Sequence, residues 1–189
     1  MHVVAIAGST RVGSFNCSLL RAAVERLDER GASVQMLELK SLALPLYDAD
    51  EELESGLPDG AKRLRSELAR ADALVLACPE YNTSVPGVLK NAIDWATRTG
   101  DGGVDLSGIR DKWVALLSAS PGSLGGMRAL VHLRAILGGL GAHVLPDQFS
   151  LVRADRAFDE AGALIADSDR RRLARVCDAL MDIVERMNR

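Results

Sequence analysis

Residues 73–98 read ALVLACPEYNTSVPGVLKNAIDWATR. Ala73–Cys78 is apolar without a break, which suits a strand covered on both faces better than one half-exposed to water. A polar loop follows between Pro79 and Pro86, and Pro86 sits where proline favours the first turn of a helix. The stretch Pro86–Arg98 is long enough for a crossover helix. Strand, loop and helix in this order form the first half of a parallel βαβ unit.

The same unit repeats outward from this stretch. Apolar runs at His2–Gly8, Ser33–Leu39, Trp113–Ser118 and His143–Phe149 alternate with helical patterns at Ser14–Arg30, Asp59–Arg70 and Leu124–Leu140. A last helix, Asp167–Asn188, carries Leu173, Val176, Cys177, Leu180, Val184 and Met187 at three-and-four spacing. This alternation predicts an α/β fold, a doubly wound five-stranded parallel sheet with helices on both faces and right-handed crossovers. The acidic, turn-rich stretch Asp48–Gly60 is expected to be a surface loop. In an open sheet of this kind ligands bind outside the carboxyl ends of the strands, where the strand order reverses. Residues 8–16, 79–85 and 118–126 are therefore the segments to read for chemistry.

Composition narrows the classes. The 189 residues, 48% hydrophobic and 26% charged, suggest one domain over 1–189. Folding should bury about 70% of the extended chain's surface, so the core needs no metal or disulfide staple. A net charge of -3 argues against a nucleic-acid partner, whose footprint is basic. Cys17, Cys78 and Cys177 are odd in number and far apart, which fits a reducing compartment. No apolar stretch approaches the roughly 18 residues that span a bilayer, and no signal-peptide pattern opens the chain. The expected address is cytoplasmic, with no membrane partner. His2, His132 and His143 lack metal-ligand spacing, and no Gly-x-Ser-x-Gly elbow or Ser/His/Asp order is present.

The first segment, Gly8-Ser9-Thr10-Arg11-Val12-Gly13-Ser14-Phe15-Asn16, brings hydroxyls, an arginine and an amide to a helix N-terminus, where free N–H groups and the helix dipole favour a phosphate. Ser14 stands where a P-loop has its lysine, so a monophosphate fits better than a nucleoside triphosphate. The alternative is a polar turn in which Ser14 caps the helix. In the second segment Tyr81 and Asn82 offer an aromatic ring and an amide to a flat heteroaromatic group; a plain connecting loop is the alternative. The third, Ser118–Gly126, is small and glycine-rich enough for a close backbone approach to a ligand, or for a flexible connector. All three fall at the same edge of the expected sheet. That coincidence favours one ligand site.

Gly8-Ser9-Thr10-Arg11 with Ser14 and Asn16, followed by the long run Pro79–Trp95, resembles the NADPH-dependent FMN reductase family, which includes bacterial chromate and quinone reductases. The resemblance runs from the first strand through the fifth. It implies a flavodoxin-like sheet of order 2-1-3-4-5, bound FMN, hydride transfer from NADPH or NADH, and small-molecule acceptors such as quinones, flavins or chromate. It also implies a homodimer or homotetramer. By the same resemblance Ser9, Arg11, Ser14 and Asn16 hold the FMN phosphate. Pro79, Glu80, Tyr81 and Asn82 border the isoalloxazine ring, and Ser118, Ser120 and Gly122 lie along its other edge. The third segment departs most from the family pattern, at Pro121. No protein side chain is expected to carry the chemistry, since a cofactor does so. A non-enzymatic electron carrier of flavodoxin type is the alternative, disfavoured modestly because such carriers steer by a strongly acidic surface.

The expected fourth helix is apolar nearly all round, with Met127, Leu130, Val131, Leu133, Ile136, Leu137 and Leu140. Its outer face, including Val131 and Leu133, is expected to meet a second subunit, unless the final helix or Asp147–Gly162 covers it within the chain.

Overall fold

The computed structural model describes residues 1–187. Five parallel strands, β1 (His2–Ala7), β2 (Ser33–Glu38), β3 (Ala73–Ala77), β4 (Trp113–Ala119) and β5 (His143–Leu151), form one sheet of order β2-β1-β3-β4-β5. Among the described residues seven α-helices connect or cover them: α1 (Phe15–Glu29), α2 (Leu39–Leu42), α3 (Ala49–Ser55), α4 (Asp59–Arg70), α5 (Gly87–Ala96), α6 (Met127–Gly139) and α7 (Asp167–Met187). The last residue expected in the final helix, Asn188, lies outside the described residues.

Strand side chains alternate between two apolar layers. On one face Val3, Ala5, Ala73, Val75, Ala115 and Leu117 pack with Leu19, Leu20 and Leu27 of α1 and Leu173, Val176 and Leu180 of α7. On the other Val4, Ile6, Leu74, Leu76, Val114 and Leu116 meet α4, α5 and α6. Burial on both faces explains why the strands read as continuous apolar runs. Arg26 of α1 and Arg30, the residue that caps its C-terminus, bind Asp178 of α7 at 2.9–3.0 Å, joining the two helices on one face. The order of the sheet puts the reversal between β1 and β3, so the loops leaving them diverge and open a crevice.

Three features differ from the sequence expectations. Asp48–Gly60 is not simply a surface loop: it holds α3, whose start Asp48 caps by accepting the Asp50 N–H at 2.8 Å. Three of its acids, Asp50, Glu51 and Glu52, sit in the first turn, where the helix dipole favours them. Among them Glu52 is fully buried and accepts hydrogen bonds from Tyr47 Oη and the Gly100 N–H, each at 3.0 Å. Secondly, β5 continues past Phe149 to Leu151, through a register shift opposite Val114–Leu116 that accommodates Pro146 on the edge strand.

The third correction concerns α6. Leu133 does not face outward; it is fully buried with Ala129, Leu130 and Leu137 against the sheet. The exposed stripe is instead Leu124, Met127 and Val131, the last 58% exposed. Leu133→Ala should therefore cost about 2–5 kcal/mol of stability, whereas Val131→Ala should change it by less than about 0.5 kcal/mol. Urea unfolding of the two variants checks the assignment.

Candidate active site

The ends of the central strands are knitted together before any loop departs. Gly8 N–H donates to the Ala77 carbonyl at 2.8 Å, and Cys78 N–H donates to the Leu117 carbonyl at 2.8 Å. Ser118 Oγ donates to the Cys78 carbonyl at 2.6 Å. Gly8 must lack a side chain here, since a Cβ would lie 2.9 Å from Leu89 Cδ2 and 3.3 Å from Pro79 Cδ. The loops after β1 and β3 thus start in contact.

The first loop leads into α1 with its donors unspent. The backbone N–H groups of residues 12–16 have no acceptor among the described residues. Ser14 is the N-cap residue and is buried, yet its hydroxyl makes no capping hydrogen bond. Ser9 is buried and Oγ accepts the Arg11 N–H at 3.3 Å, which shapes the turn. Arg11 is exposed, its guanidinium 5.6 Å from the Phe15 ring centre. A cavity of about 280 Å³ beside this loop is also lined by Arg21 and Lys40, which add positive charge, and by Glu38. Free N–H groups, a hydroxyl and an arginine at one helix N-terminus are the donors that an anion would require.

Asn16 has a different task from the one expected of it. Its Nδ2 donates to the Ala119 carbonyl at 2.8 Å, and its Oδ1 accepts the Ala119 N–H at 2.9 Å. With only 3% of the residue exposed, this carboxamide is a strut between α1 and the end of β4, replacing the expected side-chain contact to phosphate. Ser118 is likewise fully buried and committed to Cys78, so its hydroxyl braces the strand ends instead of lining a ring. Gly126, at φ +86°, packs on it so closely that a Cβ would lie 1.9 Å from Ser118 Oγ.

The second loop is a two-residue hairpin. Tyr81 and Ser84 exchange both backbone hydrogen bonds at 3.0 Å, and the tip residues Asn82 and Thr83 have φ of +48° and +67°. Tyr81 is 48% exposed, and Asn82 is exposed beside it. Pro79 is buried at the base. The Glu80 side chain turns away to α6: Oε1 accepts Arg128 Nε at 2.7 Å and Oε2 accepts the Arg128 N–H at 3.1 Å. Only its backbone is left to border the crevice. Burial acts to raise the Glu80 carboxyl, but the hydrogen bonds and charge of Arg128, with the N–H groups of Arg128 and Ala129, outweigh it and hold the group below the usual glutamate range. Burial pushes the neighbouring Cys78 thiol up to about 12, with Glu80 adding to the rise, so it stays protonated at neutral pH.

The third loop closes the crevice. Ser120 Oγ accepts the Gly122 N–H at 3.2 Å, and Gly122 is exposed. Arg128 and His132, which hold the second loop from α6, carry no role in the sequence reading. Their signal was present as polar residues four apart on a largely apolar helix that has no acid in its first turn.

A doubly wound parallel sheet of order β2-β1-β3-β4-β5 with helices on both faces defines the flavodoxin-like class. An archaeal flavodoxin shares the fold at TM-score 0.62 and 11% identity, covering 98% of this chain and 99% of that one. The chain belongs to the NADPH-dependent FMN reductase family, whose sequence model matches residues 1–156. It is 39% identical to an NAD(P)H-dependent FMN reductase of Pseudomonas aeruginosa, over 99% of this chain and 97% of that one. It is 38% identical to the quinone reductase of Escherichia coli K12, over 87% and 85%. The Paracoccus denitrificans flavoenzyme FerB, an NAD(P)H:acceptor oxidoreductase, superposes with TM-score 0.80 at 28% identity, covering 98% and 97%.

The depressed Glu80 carboxyl has a stability consequence of definite sign. Its contribution is complete above the ordinary glutamate value, about 4.3, and is lost as pH falls through the lower folded value. Glu80→Gln should therefore be less stable than the parent at pH 7, and the gap should narrow on acidification below about pH 4. Denaturant midpoints at a series of pH values measure it.

Proposed function

We propose that this chain is a flavin enzyme that binds FMN, takes hydride from NADPH or NADH and passes electrons to quinone-type acceptors. The single observation that carries this reading is the set of unspent N–H donors at residues 12–16 beside Arg11 and Ser14, at the same end of the parallel sheet from which the Tyr81–Ser84 hairpin departs. These donors fit a phosphate monoester. Bound FMN would supply the hydride-accepting ring that no side chain of the site replaces. The protein's part is to orient that ring and tune its charge. Tyr81 and Asn82 border it on one side, Ser120 and Gly122 on the other. The N–H groups of Asn82, Thr83 and Ser123 have no acceptor among the described residues, and they provide donors toward an electron-rich reduced ring. Free flavins and chromate belong to the proposed acceptor range, since an open ring face discriminates little among oxidants. A cytoplasmic address accompanies the reading, supported by three free thiols, Cys17, Cys78 and Cys177.

Assembly into a homodimer or homotetramer through the exposed Leu124, Met127 and Val131 stripe is part of the same proposal. Met127→Glu with Val131→Glu should lower the mass measured by light scattering; a parent mass near that of one 20.2 kDa chain would contradict the interface.

The phosphate assignment is tested by titrating apo-protein with FMN and riboflavin. The parent should favour FMN, and Arg11→Ala should weaken FMN about ten- to a hundredfold through loss of a charge-assisted contact while riboflavin binding is unchanged. Equal binding of the two flavins by the parent would refute it. Rapid mixing of the loaded protein with NADPH or NADH separates enzyme from carrier. Direct bleaching identifies the enzyme, and bleaching only through a separate reductase identifies the carrier.

A further inference from the structure

We propose that Arg128 and His132, on successive turns of α6, are positioning residues that hold the hairpin bordering the flavin ring in its binding conformation. The inference rests on the flavin reading above and concerns the ring end of the site alone.

α6 is preceded by Gly126, which has no side chain to cap it; the Met127 N–H donates to the Leu124 carbonyl at 3.0 Å, but the next N–H groups have no local acceptor, and no acid stands in the first turn. Those orphan donors need an acceptor from elsewhere. Glu80 provides it across 48 residues of sequence, accepting the Arg128 N–H and the Arg128 guanidinium. One turn later His132 Nδ1 and Ser84 Oγ share a hydrogen bond of 2.9 Å. Positions four apart lie on one face of a helix, so both contacts fall on the same side of α6.

Glu80 and Ser84 are the two legs of the hairpin. Its tip places Thr83, a β-branched residue, at φ +67°, a conformation that costs energy and persists only where the surroundings over-determine it. The two contacts to α6 supply that constraint. α6 itself is fixed, since Ala129, Leu130 and Leu133 are fully buried against the sheet. Arg128 is half exposed at its side chain, so its removal leaves the core intact. The hairpin's geometry is thereby set from outside the crevice.

The test uses the full chain in two arms. In apo-protein, hydrogen exchange at the Tyr81 and Ser84 amides should quicken about tenfold in Arg128→Ala, the scale of one lost charge-assisted hydrogen bond. His132→Ala should act in the same direction, more weakly. Titration with FMN and with riboflavin should show both affinities falling by a common factor, because the ring is shared, with partial recovery in Arg128→Lys. Unchanged exchange at the hairpin, or loss of FMN affinity with riboflavin spared, overturns the proposal. A parent that binds neither flavin removes the functional reading and this role with it. A parent that binds both, with hairpin exchange indifferent to Arg128, removes the positioning role alone.

Discussion

The paired hydrogen bonds between the Asn16 carboxamide and the backbone of Ala119 join the first turn of α1 to the end of β4, 103 residues away in sequence. The side chain offers Ala119 what a neighbouring strand would offer, one donor and one acceptor, at the point where β4 ends and the third loop begins. The consequence is geometric. The turn that leads into α1 cannot shift without moving the loop that follows β4. Buried polar pairs of this kind are worth most when fully satisfied, and both halves of this one are. Gly8 bonding to Ala77, and Ser118 to Cys78, complete a continuous belt across the carboxyl ends of β1, β3 and β4.

Much of this fold can be read from the sequence because burial on both faces leaves a plain signature. Ala73–Cys78 has no polar residue to suggest a solvent-facing side, and α4 begins and ends where its pattern does. What escaped reading depended on partners distant in sequence. The α3 segment is acidic, yet Glu52 is held inside by Tyr47 and the Gly100 amide, a contact that no local pattern announces. Leu133 and Val131 are two residues apart on one apolar helix, and only the docking angle decides that one is core and the other surface. The site residues divide in the same way. Residue types marked where a ligand site would lie, but Asn16, Ser118 and Glu80 each spend their side chain on protein. A polar group that binds a ligand and one that braces the loop beside it look alike in a linear sequence.

The electrostatics of the site follow the same division. Glu80 is paired with Arg128, while Arg11 and the unspent N–H groups remain at the loop proposed to take the anion. Cys78 is kept as a protonated thiol by burial, so it offers no competing nucleophile at neutral pH. α6 links these local arrangements to assembly. One part of its exposed surface carries the residues that hold the hairpin, and the adjacent stripe of Met127 and Val131 is the proposed subunit contact.

The central claim is that one ligand spans the sheet edge, with its phosphate on the N-terminus of α1 and its ring between the hairpin and the third loop. Backbone amide NMR of the apo-protein, recorded on adding FMN and separately riboflavin, addresses it residue by residue. With FMN, amides of residues 12–16 should move together with those of 81–83 and 120–123. Riboflavin should move only the latter two groups. Perturbations confined to other surfaces, or an identical response of residues 12–16 to both flavins, would contradict the account.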